Sequence, residues 1–97
     1  MLESEYQADL VATLRSWPEV VEIIINDPVA QQGIPDLLIL GVNGRWAFLE
    51  VKRSAKAKQR PNQDYYIKKY GQASFSSFIY PENEEEVLLA LQQALRH

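Results

Sequence analysis

Residues 33 to 52 contain two apolar runs separated by Asn43-Gly44, and this arrangement constrains the fold more than any other feature of the chain. An Asn-Gly pair between runs rich in β-branched and aromatic residues is the strongest short-range signal for a β-hairpin. Each run is apolar on both faces, which is typical of strands buried between layers of helix. The sequence therefore predicts a buried antiparallel hairpin in an α/β domain.

Three charged residues interrupt these apolar runs: Asp36, Glu50 and Lys52. A charge in a buried strand costs free energy unless it is paired or holds a metal ion. Glu50 and Lys52 are two residues apart, so their side chains leave the same face of a strand. These three residues are therefore the candidate functional residues of the hairpin.

The register of the hairpin decides whether the two carboxylates face each other. A two-residue turn would place Asp36 opposite Val51 and send Glu50 to the other side of the sheet. A three-residue loop, with Gly44 in the left-handed region, places Asp36 directly opposite Glu50, with β-carbons about 5 Å apart. Two carboxylates this close repel, so either one has a raised pKa or the pair binds a cation. We predict the three-residue loop and a Mg²⁺ site, because Mg²⁺ prefers oxygen ligands.

The composition narrows the chemistry further. There are no cysteines, which excludes disulfides and thiolate zinc sites. The single histidine is the last residue, His97, which disfavours histidine-based catalysis. Any metal ion would therefore be held by oxygen atoms.

The basic side chains are clustered, although the net charge is −3. Half of the 10 lysines and arginines fall between residues 52 and 60, and the acidic residues are concentrated elsewhere. Such a run is often only a solvated face, but beside a metal site we expect it to meet phosphates. The expected nucleic-acid contacts are Arg53, Lys56, Lys58, Arg60, Lys68 and Lys69.

The pattern along the chain predicts one domain over residues 1 to 97 with the order α-β-β-β-α-β-α and a mixed sheet flanked by helices. Helix one is expected over residues 2–16, strands over 20–25 and 74–80, and helix two from Pro61 to a left-handed cap at Gly71. Gln31 and Gln32 precede the hairpin and are interpreted as solvent-facing. No membrane segment or signal peptide is apparent, so we expect a cytoplasmic protein of a bacterial or phage-infected cell.

Gly33-Ile34-Pro35-Asp36, followed after fourteen residues by Glu50-Val51-Lys52, resembles the motif of the PD-(D/E)XK metal-dependent nucleases. More narrowly, the chain resembles the virus-type replication-repair nuclease (VRR-NUC) domains, which are related to Holliday-junction resolvases. The resemblance extends from Glu3 to about Val87. It implies a restriction-endonuclease-like core.

The resemblance also implies a set of metal ligands. They are Asp36, Glu50 and the carbonyl of Val51, completed by a glutamate of helix one. Glu3 fits the family's pattern because an apolar residue and a glutamine follow it at the expected positions, and Glu5 is the alternate. The two acids also have an ordinary interpretation, since first-turn acids complement the helix dipole.

Two further residues are assigned to catalysis by the same resemblance. Lys52 would orient the attacking water or stabilise the crowded phosphorane. Gln63 would point into the site near Lys52, but it is equally well placed to bond back to the start of helix two.

The implied function is a Mg²⁺-dependent endonuclease, with Mn²⁺ as a substitute, that hydrolyses DNA to leave a 5′-phosphate and a 3′-hydroxyl. Branched DNA, as a junction or a flap, and a homodimer are expected by analogy. The alternatives are a catalytically silent DNA-binding module of the same fold, and an unrelated interaction domain in which Glu50 and Lys52 form a structural ion pair.

Overall fold

The computed structural model describes residues 1–26 and 33–96. The elements follow in the order α1 (Glu3–Arg15), β1 (Val20–Ile25), β2 (Leu37–Gly41), a 3-10 turn (Val42–Gly44), β3 (Trp46–Val51), α2 (Gln63–Gly71), β4 (Phe75–Ile79) and α3 (Glu84–Arg96). The predicted order α-β-β-β-α-β-α is confirmed. The predictions for Gln31 and Gln32 fall outside the described residues, as does His97.

The four strands form one mixed sheet with the order β1-β2-β3-β4. The pairs β1–β2 and β2–β3 are antiparallel, whereas β3 and β4 are parallel. The parallel pair follows from the connection, because α2 carries the chain from the end of β3 back to the start of β4.

The hairpin has the predicted three-residue loop. Leu37 pairs with Leu49 and Leu40 with Trp46, and the N–H of Gly41 donates to the carbonyl of Arg45 over 2.7 Å. Gly44 has a φ of +76°, so it occupies the left-handed region as expected. Extending this register by one residue sets Asp36 opposite Glu50, which confirms the parity argument.

One face of the sheet carries the hydrophobic core. Alternate residues of the strands turn toward α1 and α3, whose buried stripes cover this face. The core residues are Tyr6, Leu10, Val11, Leu14, Ile23, Leu37, Ile39, Ala47, Leu49, Val51, Ile79, Val87, Leu91 and Leu95. A fully buried leucine or isoleucine contributes about 1.5–3 kcal/mol, so this face supplies most of the stability.

The opposite face of β3 packs against α2. Phe48 and Glu50 point to this side, because they alternate with the core residues along the strand. The ring of Phe48 stacks on Tyr70 of α2 with centroids 4.5 Å apart. No helix within residues 1–26 and 33–96 combines the length and apolar character required to cross a membrane.

The prediction for the ends of α2 was wrong at both termini. The helix begins at Gln63, and the residue before it, Asn62, is left-handed with a φ of 70°. Gly71 is the last helical residue and is not a left-handed cap. The preference of proline for the first helical position favoured a start at Pro61, but Asn62 is left-handed, so the helical conformation begins only after it.

Candidate active site

A cavity of about 470 Å³ lies at the end of the hairpin that is opposite its turn. It collects residues from α1, β1, β2, β3, α2 and the segment between β3 and α2. The lining residues are Glu3, Gln7, Ile25, Asn26, Asp36, Glu50, Lys52, Arg53, Ala57, Lys58, Arg60 and Gln63. Eight predicted site residues from distant parts of the chain therefore share one cavity: Glu3, Asp36, Glu50, Lys52, Arg53, Lys58, Arg60 and Gln63.

Asp36 and Glu50 are held by reciprocal hydrogen bonds across the two strands. The backbone N–H of Asp36 donates to Glu50 Oε1 over 3.1 Å, and the backbone N–H of Val51 donates to Asp36 Oδ2 over 2.9 Å. Each carboxylate is thus bonded to the backbone of the opposite strand, which restricts its rotamers. The pair is a rigid feature of the hairpin end.

Gln63 links the two charged residues of β3. Its Nε2 donates to Glu50 Oε2 over 2.5 Å, and its Oε1 accepts from Lys52 Nζ over 2.7 Å. The same Oε1 also accepts from the backbone N–H of Arg60 over 2.8 Å, just before α2. Both interpretations of Gln63 therefore apply, because its side-chain amide bonds back to the segment that precedes α2 and also orients Lys52.

Lys52 is buried with its ammonium group against the cavity. Besides Gln63, it donates to the carbonyl of Lys58 over 3.4 Å, and its Nζ lies 3.8 Å from Glu50 Oε2. The amide contact is shorter than the ion pair by more than 1 Å. Lys52 is thus part of a wider polar network than a simple Glu50–Lys52 ion pair would require.

Burial raises the pKa values of both carboxyl groups. For Asp36, burial is the main cause, the N–H of Val51 opposes the rise, and the charge of Glu3 adds to it. The pKa of Glu50 rises to about 8, first through burial and then through the negative charge of Asp36, against the opposing charge of Lys52. The two groups are poised to share a proton or a cation near neutral pH.

The two candidate glutamates of α1 have different surroundings. Glu3 lines the cavity, whereas Glu5 Oε1 accepts from the N–H of Leu2 over 2.9 Å and so stabilises the start of the helix. In residues 1–26 and 33–96, however, no group of three or more Asp, Glu, His or Cys side chains comes together in a form that would hold a metal ion. Glu3 lies at the cavity without completing a three-carboxylate cluster.

The donor set nevertheless fits one hard divalent cation. Asp36 and Glu50 line the same cavity, and their pKa values are raised mainly because burial disfavours the charged form of each carboxyl group. Mg²⁺ retains several waters and is commonly bound by one or two carboxylates, so two suffice. The Val51 carbonyl remains a predicted ligand, since the structure assigns a site contact only to the N–H of this residue.

The predicted phosphate-binding residues divide into two groups. Arg53, Lys58 and Arg60 line the cavity, and Lys56 is exposed on the same segment. Lys68 instead pairs with Asp64 over 3.0 Å on the exposed side of α2, and Lys69 Nζ lies 5.7 Å from the ring centroid of Tyr65. The cationic rim of the cavity therefore comes from the segment before α2.

Asn26 is a site residue that the sequence analysis did not identify. Its Nδ2 donates to the carbonyl of Pro35 over 2.7 Å, and its backbone N–H donates to the carbonyl of Asp36 over 2.8 Å. These bonds hold the Pro-Asp segment against the end of β1. A polar residue directly after a strand was the available signal, but it is too common to be specific.

Gly33 positions the start of α2 against the motif. Its φ is +91°, and a β-carbon at this position would lie 2.7 Å from Cβ of Asn62 and 3.0 Å from the carbonyl oxygen of Pro61. Only glycine allows this approach, which sets the turn before Gln63 beside the Pro-Asp segment. The glycine of the motif thus has a packing role that the sequence could not specify.

We expect Gly33→Ala to destabilise the fold by about 2–4 kcal/mol, because the methyl group adds a steric overlap to the strain of a positive φ. Gly44→Ala is the matched control, since Gly44 has a φ of +76° but no atom within 4 Å of an added β-carbon. That control is expected to cost only about 1–2 kcal/mol. Urea unfolding of both variants measures the difference, and equal losses would contradict the packing role.

Comparison of the chain with models of known protein families, with curated proteins and with solved structures found no match. The function is therefore inferred from the geometry of the site and from the motif.

Proposed function

We propose that the chain is a metal-dependent endonuclease with a PD-(D/E)XK core that hydrolyses phosphodiester bonds of DNA. The observation that carries this proposal is the pair of a half-buried Asp36 and a buried Glu50 lining one cavity, with the amino group of Lys52 in the same network. Such a pair with raised pKa values is costly to the fold, and costly titratable groups in a cleft are typical of functional sites.

The reaction adds water across a P–O bond. Oxygen of water bonds to phosphorus, the bond to the 3′-oxygen breaks, and that oxygen takes up a proton, which leaves a 5′-phosphate and a 3′-hydroxyl. A divalent cation supplies Lewis-acid stabilisation of the developing negative charge and lowers the pKa of water. Asp36 and Glu50 would hold this cation, and their backbone hydrogen bonds fix the direction of their oxygens.

Lys52 supplies the second positive charge. Its ammonium group donates to Gln63 Oε1, so its position is set before the substrate arrives. A fixed donor aimed at a crowded phosphorane stabilises the transition state without reorganisation. Gln63 would act as the positioning residue of Lys52, because it contacts both Lys52 and Glu50.

The cationic rim supports a polyanionic substrate. Arg53, Lys58 and Arg60 line the same cavity as the two carboxylates, although the whole chain has a net charge of −3. Phosphate contacts provide most of the sequence-independent affinity for nucleic acid. We further propose branched DNA as the substrate and a homodimer as the active form in the cytoplasm, both by analogy with the resembled nucleases.

The decisive experiment is a cleavage assay with purified protein. Labelled four-way junction, flap, splayed-arm, linear duplex and single-stranded DNA are incubated with Mn²⁺, with Mg²⁺ or with chelator. We expect metal-dependent cleavage of at least one branched substrate, and Asp36→Asn serves as the inactive control. Binding without cleavage under all metal conditions would instead favour the catalytically silent DNA-binding module.

We expect the affinity for DNA to fall, and to depend less steeply on salt concentration, when Lys56, Lys58 and Arg60 are replaced together by alanine. Each lost phosphate contact lowers the slope of log affinity against log salt by about 0.9 on duplex DNA. Alanine retains the two backbone contacts of this segment to the site, Lys58 O with Lys52 and Arg60 N with Gln63. Salt titrations with chelator present measure the slope.

Arg15→Ala is the control for this variant, because Arg15 lies about 18 Å along α1 from Glu3. It should leave the slope unchanged. A wild-type slope in the triple variant would mean that residues 53–60 are only a solvated face.

A further inference from the structure

A second cavity, of about 450 Å³, opens on the sheet face that also carries the two carboxylates. Helix α2 covers β3 at Phe48 but leaves β2 and the start of β3 accessible. The residues that line this cavity are Leu38, Leu40, Gly41, Gly44, Arg45, Trp46 and Phe48. The apolar side chains of Leu38, Leu40, Trp46 and Phe48 leave this face, whereas Arg45, one residue before Trp46, alternates to the other face.

This apolar cavity is continuous with the catalytic face of the hairpin. Trp46, Phe48 and Glu50 are spaced by two residues on β3, so their side chains leave the same face. At about 3.3 Å per residue, Phe48 lies about 7 Å from Glu50 along the strand and Trp46 about 13 Å. Because Tyr70 of α2 covers Phe48, a strand of DNA would reach the carboxylates beside Trp46 and over Leu38 of β2, which is two residues from Asp36 and shares its face.

The aromatic rings are held in place by one another. Phe48 meets Trp46 edge to face with centroids 5.7 Å apart, and its other neighbour Tyr70 stacks on it at 4.5 Å. Tyr66 continues the series at 5.7 Å from Tyr70, and Lys69 Nζ lies 5.9 Å from the Tyr66 centroid. The surface is preorganised, so a planar ligand would bind without ordering these side chains.

We propose, resting on the nuclease function above, that this cavity binds unpaired nucleobases of the DNA strand that enters the site. Flat aromatic and apolar side chains next to cations are the features of single-strand binding surfaces, because every base has a stacking face and every nucleotide a phosphate. Lys69 would contact a phosphate, and Trp46 would stack on a base. Bases within a duplex are already stacked and paired, so substrates with a single-stranded segment are favoured over fully paired DNA.

Tryptophan fluorescence tests the proposal directly, because the chain has only 2 tryptophans. Trp17→Phe removes the one that packs against the core on the other side of the sheet and leaves Trp46 as the only indole. With chelator present, we expect single-stranded oligothymidylate to quench Trp46 emission saturably, and a blunt duplex of equal length to leave it unchanged. Unchanged emission with single-stranded DNA would overturn the proposal. Trp46 emission that changes with protein concentration in the absence of DNA would also overturn the proposal, because it would indicate that a second copy of the chain covers this surface.

An affinity measurement provides the second test. Trp46→Leu keeps an apolar side chain but removes the stacking surface, and we expect about 5- to 100-fold weaker binding of single-stranded and flap DNA. Duplex binding should stay within twofold, and Trp17→Phe is the reference for both. Equal losses on duplex and single strands would overturn the proposal.

The outcomes separate this inference from the nuclease function. Cleavage in Mn²⁺ with unchanged Trp46 emission would contradict the base-binding site but support the nuclease function. Quenching of Trp46 emission by single-stranded DNA without cleavage of any substrate would contradict the nuclease function but support the base-binding site.

Discussion

Lys52→Ala is expected to reduce Mn²⁺-dependent DNA cleavage by at least about 10³-fold while the domain stays folded. The loss has one physical cause: the only ammonium group buried beside Asp36 and Glu50 within the described part of the chain is removed. The fold should tolerate the change, because Gln63 Oε1 keeps its bond from the N–H of Arg60. Single-turnover cleavage of the best substrate, with the enzyme in excess, measures the effect on chemistry rather than on binding.

Two further variants make this result specific. Arg15→Ala removes one positive charge from an exposed position outside the catalytic cavity and should leave the rate unchanged. Glu50→Ala should abolish cleavage to the same extent, since a candidate ligand is lost. Cleavage at the wild-type rate by a folded Lys52→Ala protein would contradict a catalytic role for Lys52. Cleavage at the wild-type rate by both Lys52→Ala and Glu50→Ala would contradict the assignment of this cavity as the active site.

The metal-free protein is expected to lose stability as pH rises from about 5 to 8, and Mg²⁺ to restore it. The pKa of Glu50 is raised from 4.5 to about 8 in the folded state by burial and by Asp36. Between these values the folded state binds more protons than the unfolded state, so the free energy of unfolding falls with rising pH. A difference of one bound proton changes the free energy of unfolding by at most about 1.4 kcal/mol per pH unit. Between pH 5 and 8 we expect the free energy of unfolding to fall by roughly 1–3 kcal/mol in total.

Asp36→Asn isolates the contribution of the carboxylate pair. An asparagine can still accept from the N–H of Val51 through its side-chain oxygen, but it removes the neighbouring negative charge that raises the pKa of Glu50. The variant should therefore be more stable than wild type at pH 7.5 by about 1–2 kcal/mol and show a shallower pH slope. Every other titratable group, including His97, is common to both proteins.

Urea unfolding at several pH values, with and without Mg²⁺, provides the measurement. Because a cation and a proton compete for the same oxygens, Mg²⁺ should stabilise the wild type more at pH 8 than at pH 6. Asp36→Asn should show little response to Mg²⁺. Identical pH slopes for the two proteins would mean that Asp36 and Glu50 do not interact, and a flat metal response in the wild type would argue against the proposed cation.

The order of the elements and the register of the hairpin could be predicted from the sequence because both depend on local patterns. The even spacing between Asp36 and Glu50 is incompatible with a two-residue turn, and Asn43-Gly44 supplied the residues that a left-handed loop needs. Periodicity likewise predicted helix one over residues 2–16, and α1 spans Glu3–Arg15. The two acids share a face because the loop has three residues, whereas a two-residue turn would have separated them.

The choice between Glu3 and Glu5, and the contacts of Gln63, depended on the tertiary structure. Each alternative was compatible with helical spacing, and the direction of α1 relative to the sheet decided which glutamate faced the cavity. Gln63 could be a helix-start residue or a site residue by sequence, and its two amide atoms allow both. Spacing defines a face of an element but not what that face meets.

The start of α2 and the environment of the carboxylates were also decided only by tertiary structure. Pro61 favoured an earlier start of the helix, but Asn62, which lies close to Gly33, is left-handed, and the helix begins at Gln63. Likewise, the sequence determined that Asp36 and Glu50 would be neighbours, while burial by α1, α2 and the segment before α2 determined how far their pKa values rise. Local propensity acts over a few residues, whereas desolvation and close packing depend on residues distant in the chain.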